Sequence, residues 1–376
     1  MRLLKLFLPI YFLAALPVLF SLEATAFQIP DGSGKTIKIG FLIPDAKSSA
    51  AVHGAEMAIR KANEKGGYRG IPFRLVIRSM EGQWGTGSKQ AVNLIFDENV
   101  CALMSSGDGR NGHLIEQVAT KARIVFLSSW ASDPTLAQAF VPWYFSCVPT
   151  DLQQANAFIE EIYNKRKIDR IALVSDNGYD SKLAVESFEK RIKSTGKREP
   201  AQLSYDNLNQ NFNPVIEQIR KADCRAVVLF GSPSASVRLI KLLRESSMNL
   251  QVFGALSLSD ENDLSEQDVK SSYENLVFIS SESHSGPKCS EFRKEFQNIY
   301  RRSPGAVAEY SFDGMSVLID AIINAGTDRE NIQKALAKTH FEGVTGPIQF
   351  DEKGKRIGKI NLIEIKDGVP VNIERK

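Results

Sequence analysis

The stretch GDGRNG, residues 107–112, matches the glycine pattern GxGxxG and lies between an apolar run, VCALMSS, and a helical one, HLIEQVATKA. A dinucleotide fingerprint of this form opens the first βαβ unit and needs an acid at the end of the next strand, about 20 residues on. Here the loop follows the third strand-like run. The next run ends in Leu127-Ser128-Ser129, with Asp133 already beyond it. What the glycines still offer is a tight turn whose N–H groups can hold an anion at a helix N-terminus.

A second polar cluster, LSSWASDPTL, follows the apolar run IVF. Asp133-Pro134 has the form of a helix start, with a capping carboxylate and proline at the first helical position. Just upstream, the Ala131 carbonyl and the Ser132 hydroxyl would then face the mouth of that helix, where they can orient a small polar ligand. Trp130 either walls such a site or packs the surface beside it. Other strand-like runs also end in small polar or aromatic residues: Ser48-Ser49, Gln83-Trp84, Asp108-Gly109-Arg110, Asn177-Gly178-Tyr179 and Ser232. Open parallel sheets bind ligands outside the carboxyl ends of their strands. There is no GxSxG, HExxH or Walker pattern, and no nucleophile with an identifiable base. The pattern predicts binding without chemistry and without a cofactor.

The elements that must carry these ends alternate. KTIKIGFLI and HGAEMAIRKANEKGG, FRLVIRS and SKQAVNLIFDE, then VCALMSS, HLIEQVATKA, IVFLSS and WYFSCV read as β and α in turn. A second series begins at Asp151 with DLQQANAFIEEIYNK and RIALVS and runs to QVFGAL. Such alternation predicts two α/β units, each a parallel sheet with helices on both faces. The β-rich tail GPIQFDEKGKRIGKINLIEIKDG carries hairpin turns at Lys353-Gly354 and Asp367-Gly368. The acidic stretch SLSDENDLSEQDVKSSYE lacks EF-hand spacing and reads as a solvated loop.

Composition narrows the partners. The formal charge of +3 is spread without a basic stripe, which argues against nucleic acid. Cys101, Cys147, Cys224 and Cys289 form no CxxC pair, so a zinc site is not expected; buried thiols or up to two disulfides remain open. MRLLK followed by LFLPIYFLAALPVLF and SLEATA has the form of an export signal at residues 1–26, cleaved before Phe27, with no cysteine at the junction for a lipid anchor.

Taken in order, these segments resemble the periplasmic branched-chain amino-acid-type substrate-binding proteins of ABC importers, which have the type I periplasmic binding fold. HGAEMAIRKANEKGGYRGIPFRL is similar to the family's first helix and its glycine-rich exit, and ARIVFLSSWASDPTL to a strand entering a ligand loop. VPWYFSCVPTDLQQA resembles the crossing into the second lobe, and FEGVTGPIQFDEKG the return. The resemblance implies a doubly wound α/β fold of two lobes, 27–149 plus 282–342 and 150–281 plus 343–376. Hinge crossings would lie near 148–151, 280–283 and 341–346.

It further implies a periplasmic monomer that closes on a small-molecule ligand and delivers it to a membrane permease; a sensor of the same fold is the alternative, and a secreted dinucleotide-dependent enzyme using the Gly107–Gly112 loop a more remote one. Ala131, Ser132, Tyr179 and Asp151 fall on ligand-contacting positions. Ser49 lies in a first loop shorter than the family's. The family's carboxylate-binding serine aligns with Gly109, followed by Arg110, and its ammonium-pairing acid falls near Leu256. An unpaired buried ammonium costs several kcal/mol. These departures favour a small organic acid, paired with Arg110, over an amino acid, with Trp84 and Trp130 favouring an aromatic one.

Overall fold

The computed structural model describes residues 34–138, 141–262, 272–280 and 286–373. The expected export signal, residues 281–283 of the second crossing and residues 263–271 of the acidic stretch lie outside them. The first sheet is built from β1 (Ile37–Ile43), β2 (Phe73–Ser79), β3 (Ala102–Ser105), β4 (Phe126–Ser128) and β5 (Tyr144–Ser146), in the order β2-β1-β3-β4-β5. All its pairs are parallel, Phe41 standing opposite Ile77 on one side and Met104 on the other. Strand order reverses at β1. The loops after β1 and β3 therefore flank a crevice at their carboxyl ends.

Three helices connect these strands: α1 (Ser49–Glu64), α2 (Thr86–Val92) and α3 (Gly109–Ala122). α2 runs on into a wider turn closed by Glu98 N–H on the Asn93 carbonyl, 3.1 Å. The second sheet comprises β6 (Ile171–Asp176), β7 (Ala201–Tyr205), β8 (Ala226–Phe230), β9 (Gln251–Gly254) and β10 (Val277–Ser280). These five are parallel, and two antiparallel strands from the tail extend the edge at β10. AVVLF of β8 is buried throughout, as expected of a strand covered on both faces. Its helices are α4 (Asp151–Ile159), α5 (Tyr179–Lys193), α6 (Asn213–Lys221) and α7 (Pro233–Glu245).

After β10 come α8 (Pro287–Tyr300), α9 (Ala306–Ala325) and α10 (Arg329–Leu336). α9 lies against α1 so closely that a Cβ on Gly54 would collide with the Ala308 carbonyl. This close approach ties the last helices to the first sheet. The tail forms β11 (Phe341–Gly343), β12 (Gly346–Phe350) and β13 (Arg356–Ile357), a small antiparallel sheet, then β14 (Asn361–Lys366) and β15 (Val369–Asn372) in the second sheet. Asp367 and Gly368 both have positive φ and make the β14–β15 turn, as the Asp-Gly pair predicts.

Arg356 ties the hinge region together. Its guanidinium donates to the carbonyls of Cys147, Thr345 and Pro347 and to the Thr345 hydroxyl, at 2.8–3.1 Å. Asp313 of α9 accepts from the Val344 and Thr345 N–H groups at 2.8 Å and from the same hydroxyl at 2.5 Å. Burial raises the Asp313 pKa, and the Thr345 and Val344 donors with the nearby Arg356 charge hold that rise back.

Asp133-Pro134 does not start a helix: residues 134–138 are turns, and the Asp133 carboxylate closes a local bend by accepting from Thr135 N–H at 2.7 Å and its hydroxyl at 2.6 Å. The local side-chain bonds compete successfully with helix propagation. The four cysteines are free thiols, with Cys147, Cys224 and Cys289 buried.

Candidate functional site

The crevice of the first sheet faces the second lobe. A cavity of about 310 Å³ lies there, within the range of small-molecule sites. From the first lobe it is lined by Asp45, Lys47 and Ser48 after β1, Ser106 after β3 and Trp130 after β4, and from the second by Asp260 and Asn262. Ser106 is 4% exposed and its hydroxyl has no hydrogen-bond partner among the described residues. Buried hydroxyls are nearly always hydrogen-bonded, so this one has an unused bond to give a solute. Trp130 both packs edge-to-face on Tyr310, with centroids 6.4 Å apart, and walls the cavity.

Beside the cavity the lobes meet through charged groups. Tyr179 and Asp180 begin α5 and reach across to the first lobe. The Tyr179 hydroxyl donates to Asp133 Oδ2 at 3.3 Å, and the Asp180 carboxylate accepts from Gly109 N–H at 3.1 and 3.2 Å. Gly109 is the residue this contact requires: a Cβ there would sit 2.7 Å from Asp133 Cβ and 2.9 Å from Asp180 Oδ1. Asp151 joins the group, its N–H bonded to the Ser132 carbonyl at 2.8 Å.

These carboxylates differ in charge state. Burial raises Asp151 well above the ordinary range; the Ser132 hydroxyl opposes this, Asp180 and Asp133 add to it, and among the described residues Oδ2 has no hydrogen-bond partner at normal distance. Asp180 is pushed up to about 7, first by burial and then by Asp108, against the pull of Gly109 N–H. Asp133 goes the other way: burial works against its charge, but His113 and Thr135 outweigh it. In return His113, 3.1 Å from Asp133, rises to about 9, with Glu116 adding to the effect.

The residues singled out in the sequence fall into three groups. Ala131, Ser132, Asp151, Tyr179 and Gly109 converge where the lobes meet, and Trp130 walls the cavity. Arg110 is exposed at the rim, its guanidinium carbon 5.6 Å from the Trp84 ring centre and 5.2 Å from that of Tyr179. Trp84 itself is 72% exposed. The rings, rather than a cavity, face that cation. Ser49 accepts from Arg302 at 2.9 Å within the first lobe, and Ser232 heads α7 and does not line the cavity. Sequence reasoning missed Ser106, Asp45 and Asp260. Ser106 was legible as the second hydroxyl at the end of VCALMSS. Asp260 stands four residues after Leu256, across the short helical turn Leu256–Ser259, in the stretch that reads as a solvated loop.

Two parallel-sheet lobes around a polar cavity define a solute-binding fold, and comparison with known proteins agrees. The family model described as periplasmic binding protein matches residues 36–369, so the chain belongs to that family. A curated relative, the leucine-, isoleucine-, valine-, threonine-, and alanine-binding protein of Pseudomonas aeruginosa, is 21% identical over 308 residues, covering 80% of each chain. Among solved structures, the branched-chain amino acid transporter substrate binding protein LivJ of Streptococcus pneumoniae, in complex with isoleucine, superposes with a TM-score of 0.79 at 21% identity. That match covers 90% of this chain and 100% of that one. A solute binding protein of an ABC transporter from R. palustris, in complex with benzoate, also gives 0.79, at 18% identity, covering 90% and 96%. These likenesses establish the type I periplasmic binding fold. The family and these neighbours are solute-binding proteins.

Proposed function

We propose that this chain captures an α-amino acid with an apolar or aromatic side chain between its lobes, outside the cytoplasm, and delivers it to an ABC permease as a monomer. The lobes divide at 149/150, 281/282 and 342/343, and closure about these crossings presents the loaded form. The observation that carries the ligand class is the mixed lining of the cavity: the Ser106 hydroxyl and Lys47 suit a carboxylate, Asp260 and Asp45 an ammonium, and Trp130 an apolar body. Asp260 supplies the acid missing at Leu256, so the desolvation argument against an ammonium loses its force. Arg110, held at the rim between two rings, has no place in this reading. The binding of isoleucine by one structural neighbour supports it, while the benzoate complex of another keeps aromatic acids in the comparison.

A micromolar constant corresponds to about −8 kcal/mol, within reach of a few hydrogen bonds and one buried apolar group. A thermal-shift panel of amino acids, aliphatic acids and aromatic acids tests the class, since a ligand bound only by the folded chain raises its melting temperature. Apolar amino acids are expected to give the largest shift, reduced by Ser106→Ala. A larger shift with benzoate would move the assignment to carboxylates lacking an amino group. No shift with any member of the panel would overturn solute capture from these classes.

A further inference from the structure

Helices of the first lobe begin at the cleft with backbone N–H groups that their own caps leave unbonded. The first turn of any helix has such donors, and an unpaired one is costly when buried. α9 follows Gly305, which has no side chain to offer; Glu261, from the second lobe after β9, accepts from Gly305 N–H at 3.0 Å, Val307 N–H at 2.9 Å and Ala308 N–H at 2.8 Å. In α3, Asp108 takes Asn111 N–H at 2.8 Å but leaves Gly109 N–H to Asp180. At α1 the Ser48 hydroxyl is turned to Asp45, and Ala50 N–H donates to Asn262 Oδ1 at 3.2 Å.

We propose that the second lobe caps the first: Asp180, Glu261 and Asn262 complete the N-termini of α3, α9 and α1, and these bonds hold the lobes shut with no solute between them. The inference rests on the hinge-closing reading above but adds that protein groups, rather than a ligand alone, supply the preference for the closed state. A conformational equilibrium follows differential contacts, whatever their source. One consequence bears on selectivity: Asp180 fills the position where a solute's own anion would meet Gly109 N–H, so the solute's carboxylate must be held elsewhere in the cavity.

The latch responds to pH. Facing Asp180 are Asp108 and Arg110 at the start of α3, Asp133 with its partner His113, and Asp151; facing Glu261 is Asp260. Burial pushes both Asp180 and Glu261 up to about 7. Exposed in an open chain, both would ionise in the ordinary carboxylate range, near 4. Closure therefore takes up protons between these values; the contribution is full below about 4 and is lost as pH rises through 7.

Small-angle scattering at pH 6 on chain stripped of solute by unfolding and refolding tests the proposal. The wild type is expected to scatter as the closed form and Asp180→Ala/Glu261→Ala as a more extended one, with unchanged circular dichroism. Glu261→Gln, which keeps an acceptor at the α9 terminus, is expected to stay compact. If the double variant does not fold, Asp180→Ala alone gives the same reading with one cap removed. A stripped wild type that scatters as an open chain, or a folded double variant as compact as the wild type, would overturn the latch. A solute-induced thermal shift in a chain found open leaves solute capture standing; a closed chain that answers to no solute leaves the latch and removes capture.

Discussion

Two regions of this molecule bury carboxylates, and they are finished differently. At the hinge, Asp313 has three donors, and every arm of the Arg356 guanidinium is bonded. Where the lobes meet, burial raises Asp180 and Glu261 as it raises Asp313, but their donors are backbone N–H groups of the other lobe, and Asp151 Oδ2 has no hydrogen-bond partner among the described residues. A buried polar network that is fully satisfied is rigid. The difference teaches which bonds depend on pH: the Arg356 set carries its own counter-charge, whereas the contacts of the proposed latch hold while Asp180 and Glu261 are protonated and weaken as they ionise.

The largest effect expected from breaking this contrast is at the pivot. Arg356→Ala leaves Asp313 buried near an unfilled space and strands several carbonyls, and removing one member of such a set costs about 3–5 kcal/mol. Urea unfolding checks it; a loss under 1 kcal/mol would show the hinge to be no better finished than the cleft. Next is Trp130→Ala, which removes the apolar wall of the cavity. It should weaken solute binding about 30-fold, roughly 2 kcal/mol, measured by calorimetry.

The pH responses of the two sides of the cleft have a common direction but different windows. His113 is raised to about 9 by Asp133 and Glu116, both in its own lobe. A raised histidine stabilises fully below its unfolded value near 6.5 and loses that contribution as pH climbs through 9. The urea midpoint should therefore fall between pH 6.5 and 9, and His113→Gln should flatten the fall. For Asp180, raised to about 7, the buried charge is a burden above 7 that protonation relieves, so inter-lobe distance should lengthen from pH 6 to pH 8 and do so less in Asp180→Asn. The smallest effect is expected at the rim: Trp84→Ala, at a ring 72% exposed, should change stability by no more than about 0.5 kcal/mol.

Much of the fold was legible because the signals are local. VCALMSS, RIALVS and AVVLFG are short β-rich runs bounded by polar or glycine residues, and each became a buried parallel strand. The Asp367-Gly368 turn follows from the two residues' tolerance of positive φ. Asp133-Pro134 misled for the opposite reason: its helix signal is local too, but Thr135 and His113 offered the carboxylate other partners. Of the residues lining the cavity, Trp130 stands at a strand end that the sequence marks, whereas Asp260 lies in a run that looks solvated.

The sequence by itself determined the alternation of strands and helices, the two-lobe class and the family, since hydrophobic period and segment order are written along the chain. Only the tertiary structure decided which charges are buried and what they face. Gly109 and Asp180 are 71 residues apart, and nothing in either segment says that one supplies the N–H and the other the carboxylate. Burial and pairing are properties of the gap between lobes. They exist once the sheets bring their tips together.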